Sequence, residues 1–156
     1  MKIKEYYDFV VSYTHVFGDN RDQQHWKLGC LDEFGEVLGL FKKQLFKEVS
    51  KAKFTDEIGD VLFYLTMGLF HTGTELREYN AVPLNNIIDI TNLYNISWKR
   101  ESIVGMYWCI YDLCKMLDIN IEDAYQMNYD KLTARHEGEF NINNKKHTKE
   151  ELDAIK

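Results

Sequence analysis

Two segments of the chain carry nearly the same acidic heptapeptide. Residues 32–38 read Asp-Glu-Phe-Gly-Glu-Val-Leu, and residues 56–62 read Asp-Glu-Ile-Gly-Asp-Val-Leu. Each copy holds two carboxylates three residues apart, a spacing that places both on roughly one side of a helix. These four acids are Glu33, Glu36, Glu57 and Asp60. Carboxylate oxygens are the ligands that hard divalent cations prefer, so the repeated pattern predicts a metal site.

The acids of both copies border an apolar face. Glu33 precedes Val37 by one helical turn, and Glu57 precedes Val61 by the same spacing. Two helices joined by a short connection pack antiparallel, so we expect the two acidic pairs to meet. Four close carboxylates cannot all ionise without a strong counter-charge. We therefore expect Mg²⁺, for which Mn²⁺ can substitute, as the cofactor.

Each acidic pair also encloses a glycine, Gly35 in the first copy and Gly59 in the second. Glycine inside a helix costs about 1 kcal/mol relative to alanine. A purely structural bundle would gain from alanine at both positions. We therefore expect another part of the chain or a ligand to approach closely beside the acids.

Two other interpretations of the acids need weighing. A single acidic pair at this spacing usually lies on a solvated helix face, but two copies in one register beside apolar stripes favour a metal site. A di-iron bundle would need Glu-x-x-His on two helices. None of the five histidines follows a glutamate by three residues, which argues against iron.

A group of cationic and amide side chains follows later in the chain. Asn128, Lys131 and Arg135 share one helical face, and this combination suits a polyphosphate because Arg can bind two oxygens at once. Lys43 lies seven residues after Glu36 on the same side of its helix and is a further candidate for phosphate. Taken alone, such cations are more often solvated than functional.

Helices must position these residues, because nearly every long segment has helical periodicity. The predicted helices span 6–17, 22–47, 55–72, 84–95, 101–117 and 120–136. Thr55 is the expected N-cap of the third helix, with Asp56 and Glu57 in its first turn. Pro83, the single proline, suits the first position of the fourth helix.

The predicted fold is therefore one all-α domain. It covers residues 1–140 and is followed by a polar tail over 141–156. In this tail, Thr148 and Glu151 form a capping box for a short helix. We find no convincing strand pair and no linker rich in Gly, Pro or Ser.

Composition excludes several classes of protein. The 156 residues carry a formal net charge of −6, which argues against a nucleic-acid partner because such binding needs a basic face. The longest apolar run, 61–70, is half of the roughly 20 residues that a membrane span requires. The N-terminus lacks the features of a signal peptide. Free thiols are expected at Cys30, Cys109 and Cys114, so the sequence favours a reducing cytoplasm.

The acidic segments resemble those of the MazG-like family of all-α nucleoside triphosphate pyrophosphohydrolases, especially its short single-domain bacterial and phage members. The family signature is Glu-x-x-Glu on one helix and Glu-x-x-Asp on the next, which segments 29–37 and 56–64 match. Segment 117–124 and the Asn-x-x-Lys-Leu-x-x-Arg pattern over 128–135 are similar to the last helix of the family. The resemblance covers about 1–72 and 105–140, and the residues around 74–104 form an insertion.

The resemblance implies an antiparallel helical bundle with an extra helical insertion, and a magnesium site built from the four acids. Water would attack the α-phosphorus of a (deoxy)nucleoside triphosphate and release a monophosphate and pyrophosphate, for control or cleaning of the nucleotide pool. One of the carboxylates, such as Glu33, would accept the proton of the water. The resemblance also supports phosphate binding by Asn128, Lys131 and Arg135.

The family also implies a homo-oligomer, either a dimer or a tetramer. Two functions of other classes remain open alternatives. One is a non-catalytic nucleotide- or metal-sensing module on the same scaffold, with the insertion as its partner surface. The other is a structural helical oligomer in which the acidic pairs form salt bridges.

Overall fold

Every regular element in the described part of the chain is an α-helix. The computed structural model describes residues 1–14, 17–76, 84 and 86–136. The six helices are α1 (Ile3–Val11), α2 (Arg21–Gln44), α3 (Lys51–Thr72), α4 (Ile87–Lys99), α5 (Ile103–Met116) and α6 (Ile121–His136). The predicted all-α class is confirmed. The capping box at Thr148 and Glu151 lies outside the described residues.

The third helix lies at the centre of the fold. It packs against α1, α2, α5 and α6, while α4 packs mainly against α5. Apolar residues cover most of its circumference, and Ile58, Val61, Leu62 and Leu65 are completely buried. A helix that is apolar on several sides must be surrounded by other elements, which explains why four helices contact α3.

The second and third helices run antiparallel, as the short connection between them predicts. Near one end of the pair, the rings of Phe41 and Phe54 lie with centroids 4.8 Å apart. Near the other end, a Cβ added to Gly68 would lie 2.8 Å from the Trp26 ring. This register places the two acidic segments opposite each other in the middle of the pair.

The start of α3 differs from the sequence prediction. Ser50 is its N-cap, and the Ser50 side chain accepts a hydrogen bond from the backbone N–H of Lys53. The Thr55 hydroxyl instead donates to the Lys51 carbonyl at 2.9 Å, inside the helix. The expectation that Thr55 caps the helix was wrong. Asp56 therefore lies in the second turn of α3, where the dipole of the helix end is weak.

Other helix ends also differ. The first helix ends at Val11 rather than at residue 17, and α2 ends at Gln44 rather than at 47. The fourth helix begins at Ile87, with Asn86 as its N-cap accepting from the Asp89 backbone N–H. Pro83, expected to start this helix, lies outside the described residues.

The segment around 74–104, predicted to be an insertion, contributes α4 to the same hydrophobic core as the other described helices. The Tyr94 ring stacks on Phe34 of α2 with centroids 3.8 Å apart, and the Tyr94 hydroxyl donates to the Cys30 carbonyl at 2.9 Å. Elsewhere on its surface, α4 exposes Ile88. Tyr94 of α4 therefore packs against the part of α2 that carries the acidic segment.

The three cysteines are buried free thiols. Burial raises the pKa of Cys109 and of Cys114 to about 12, so both stay protonated at neutral pH. Among the described residues, no helix combines the length and the apolar character that a membrane crossing requires.

Candidate metal centre

Three carboxylates from two helices converge in the middle of the α2–α3 pair. Glu33 comes from α2, and Glu57 and Asp60 come from α3. One oxygen of each can be chosen so that all three lie within 4.8 Å of one another. All three side chains are partly buried, as expected for acids at the edge of an apolar face. The predicted meeting of the two acidic segments is thus observed for these three residues.

The fourth predicted acid, Glu36, lies at the periphery of this group. Glu36 is exposed and is not among the three converging carboxylates. Its charge still contributes to the raised pKa of Glu57, as the smallest of the causes. A step of three residues rotates a helix by about 300°, so Glu36 is displaced by about 60° around α2 from the direction of Glu33.

Lys131 of α6 forms ion pairs with two acids of α3. Its ammonium lies 2.7 Å from a carboxylate oxygen of Asp56 and 2.6 Å from one of Asp60. The Lys131 side chain is only 14% exposed. Sequence reasoning did not include Asp56 in the site. The signal was available, because Asp56 precedes Asp60 by one turn and so shares its side of α3.

Asn128 of α6 also contacts Asp60. The Asn128 side chain donates from Nδ2 to the Asp60 carboxylate at 2.8 Å, and its Oδ1 accepts from the Tyr6 hydroxyl at 2.8 Å. Asn128 is completely enclosed, with 1% of its surface exposed. The residue predicted to bind phosphate therefore holds a carboxylate of the site in this structure. Tyr6 was missed, because nothing in its local sequence distinguishes it from any other apolar-face tyrosine.

The remaining predicted cations differ in their distance from the acids. Arg135 is partly buried one turn beyond Lys131, and its positive charge lowers the pKa of Asp60 as one of the smaller influences. Lys43 is exposed in the last turn of α2, about two turns beyond Glu36. Arg135 thus borders the centre, while Lys43 lies on the outer surface of α2.

The two glycines of the acidic segments have different surroundings. A Cβ added to Gly59 would lie 2.9 Å from the Ala124 carbonyl oxygen and 3.1 Å from the Asn128 Cβ. A Cβ added to Gly35 would meet nothing within 4 Å. The expected close approach is therefore observed at Gly59, where α6 crosses α3, while no described part of the chain makes such an approach at Gly35.

The charges at the centre are only partly balanced. Burial raises the pKa of Glu57 to about 7, with Asp60 and Asp56 adding to the shift and Lys131 opposing it. Burial also raises the pKa of Asp60, although Lys131 lowers it. One ammonium therefore does not compensate the clustered acids. Three carboxylate oxygens with surplus negative charge fit a hard divalent cation such as Mg²⁺ or Mn²⁺.

The raised pKa of Glu57 predicts a pH-dependent stability of the metal-free protein. The folded chain binds this proton more tightly than the unfolded chain, whose pKa is near 4.5. The favourable contribution is complete below pH 4.5 and is lost as pH rises through 7. After allowance for solvent screening, Glu57→Gln is expected to be about 1–2 kcal/mol more stable than wild type at pH 8. This difference should disappear toward pH 4.5.

Urea unfolding in the presence of a chelator measures this difference at each pH. Glu36→Gln is the matched control, because Glu36 is an exposed acid near the same centre and should change stability little at either pH. Equal stability of Glu57→Gln and wild type at pH 8 would contradict the expectation.

Comparison with known proteins identified no relative of this chain. No protein-family model, no curated protein and no solved structure matches the chain. The resemblance of the acidic segments to the MazG-like signature therefore stays a prediction.

Proposed function

We propose that this chain is a Mg²⁺-dependent enzyme of the MazG-like type that hydrolyses (deoxy)nucleoside triphosphates to nucleoside monophosphate and pyrophosphate. The observation that carries the proposal is the convergence of Glu33, Glu57 and Asp60, with oxygens within 4.8 Å of one another. The acids come from two antiparallel helices at the positions of the repeated motif. A solvated acidic face would spread its charges apart rather than gather them across a helix pair.

The proposed roles follow from the surroundings of each side chain. Glu33, Glu57 and Asp60 would hold the cation, with Glu36 at its outer edge. The chemistry that a bound Mg²⁺ supplies is Lewis-acid chemistry, which neutralises charge on phosphate oxygens and lowers the pKa of water. One of the three carboxylates would accept the proton of the attacking water. Without the cation, burial raises the pKa of Glu57 to about 7, and a bound divalent cation would lower it.

The cations of α6 support a phosphate partner. Lys131 already neutralises carboxylates at the centre, and Arg135 lies one turn further along the same helix. Two positive side chains beside an acidic metal site provide counter-charge for a triphosphate that arrives with its cation. In this proposal Asn128 acts through Asp60, and Lys43 contacts phosphate only at the outer end of α2.

Assembly into a dimer or tetramer and a cytoplasmic location are part of the same proposal. Exposed apolar residues support the oligomer. They include Ile88, Leu93 and Ile96 on α4 and Leu28 on α2. Free buried thiols suit a reducing compartment.

Product analysis on a panel of ribo- and deoxyribonucleoside triphosphates tests the activity. With Mg²⁺ or Mn²⁺, we expect equimolar monophosphate and pyrophosphate from at least one nucleotide, and none after chelation of the metal. Release of orthophosphate, or no turnover with either cation, would contradict the proposal.

Thermal melting of the same protein, read together with the product analysis, separates the alternatives. Thermal stabilisation by nucleotide with Mg²⁺, but without product, would indicate a sensing module. The ion pairs of Lys131 with Asp56 and Asp60 favour a structural role as the second candidate, for which Mg²⁺ should give no stabilisation.

A further inference from the structure

We propose that Tyr6 is a positioning residue of the metal centre, because its hydroxyl sets the orientation of the Asn128 amide that holds Asp60. This inference rests on the proposed function, in which Asp60 is a ligand of the cation. Tyr6 itself touches none of the three converging carboxylates through a described hydrogen bond. Its effect would pass mainly through the Asn128 side chain, because the other bond of the hydroxyl, to the Gly59 carbonyl, is longer at 3.4 Å.

The three residues form a chain of hydrogen bonds that joins three helices. Tyr6 of α1 donates to Oδ1 of Asn128 of α6 at 2.8 Å, and Nδ2 of Asn128 donates to Asp60 of α3 at 2.8 Å. The residues are separated by most of the length of the sequence and are brought together by packing of α1 and α6 on α3. Tyr6 and Asn128 are almost completely buried, so water does not replace these bonds.

The hydroxyl of Tyr6 selects one of the two orientations of the amide. Burial raises the pKa of Tyr6 well above its ordinary value, so the hydroxyl keeps its proton and can donate. Oδ1 of Asn128 accepts a hydrogen bond from it at 2.8 Å, while the Gly59 carbonyl oxygen lies farther from the same hydroxyl, at 3.4 Å. The amide nitrogen is thereby directed at Asp60. The reversed amide would place Oδ1 against the Asp60 carboxylate, two acceptors in contact.

This role can be separated from packing. The Tyr6 ring stacks on the Tyr125 ring with centroids 4.6 Å apart, and phenylalanine at position 6 would keep this contact. A second buried hydroxyl pair, between Tyr107 and Tyr125, lies in the same core. Because Tyr107 has no described bond to the acids, Tyr107→Phe is a matched control for loss of a buried hydroxyl.

Mn²⁺ binding, measured by electron paramagnetic resonance or calorimetry without nucleotide, tests the inference. Loss of a partner that orients a metal ligand typically weakens binding about 10- to 100-fold. We expect a dissociation constant raised by about 10-fold in Asn128→Ala, and by about 3- to 10-fold in Tyr6→Phe, which acts one bond further away. Tyr107→Phe should bind within about twofold of wild type. Tyr6→Phe should add nothing in an Asn128→Ala background.

The outcomes distinguish the inference from the proposed function. If the wild type binds Mn²⁺ and hydrolyses nucleotide, but Tyr6→Phe binds Mn²⁺ with the same affinity as the wild type, the inference alone is overturned. Equal weakening in Tyr6→Phe and Tyr107→Phe would also overturn it, since the effect would then be general loosening of the core. If Tyr6→Phe does not fold, unchanged affinity in Asn128→Ala overturns the inference by itself. Absence of Mn²⁺ binding to the wild type would overturn both proposals.

Discussion

Under the proposed function, Asp60→Asn is expected to lower the rate of nucleotide hydrolysis by about 10²–10³-fold at saturating nucleotide. Asp60 converges with two glutamates and is held by Asn128 and Lys131. A metal ion contributes several kcal/mol to stabilisation of a phosphoryl transition state, and each 1.4 kcal/mol corresponds to a factor of ten. Asparagine keeps the volume but removes the charge. Steady-state pyrophosphate release measures the effect.

Asp56→Asn is the control for this substitution. Asp56 lies one turn earlier on α3 and shares the ammonium of Lys131, but is not one of the three converging carboxylates. Its replacement removes an ion pair of similar length without removing a proposed ligand. We expect Asp56→Asn to keep activity within about tenfold, with a small change in stability. Equal loss in the two variants would indicate that pairing with Lys131, and not cation binding, is the function of Asp60.

Gly59→Ala is expected to destabilise the protein by about 1–3 kcal/mol, although alanine is the better helix former. The added methyl group would lie 2.9 Å from the Ala124 backbone oxygen, and neither helix can yield without moving its backbone. The structure must therefore separate α3 from α6 at their crossing. Because Asn128 lies at this crossing, the substitution should also weaken Mn²⁺ binding.

Gly35→Ala is the matched substitution in the first acidic segment. It has open space around the added carbon, so we expect a gain of about 0.5–1 kcal/mol from helix propensity alone. Chemical denaturation of both variants measures the opposite signs. A gain in stability for Gly59→Ala would contradict the close crossing of α3 and α6.

The acidic segments show how far the sequence predicts this site. Periodicity placed Glu33, Glu57 and Asp60 at the edge of an apolar face, and the short connection predicted that α2 and α3 meet antiparallel. Both predictions depend only on local spacing and on chain length between helices. Glu36 has the same local pattern but is exposed, because the neighbouring helices, and not the spacing, decide which of two acids three residues apart is covered.

Most of the features that the sequence did not predict depend on contacts between distant parts of the chain. Gly35 and Gly59 have nearly identical neighbours in sequence, yet only Gly59 lies beneath α6. Tyr6 and Asn128 meet because both α1 and α6 pack on α3, which no local pattern encodes. Thr55 was predicted to cap α3, but Ser50 is the N-cap. Both residue types suit this position, so the sequence alone does not distinguish them.

The central position of α3 also links its ligands to the folding of the whole domain. Helices α1, α2, α5 and α6 all pack on it, so none of these four can lose α3 and keep its own buried face. A ligand that binds only the folded chain at 100 times its dissociation constant adds about 2.7 kcal/mol to stability. Occupancy of a centre on α3 should therefore raise the unfolding temperature of the entire cooperative unit. Calorimetric melting can thus detect a spectroscopically silent cation such as Mg²⁺.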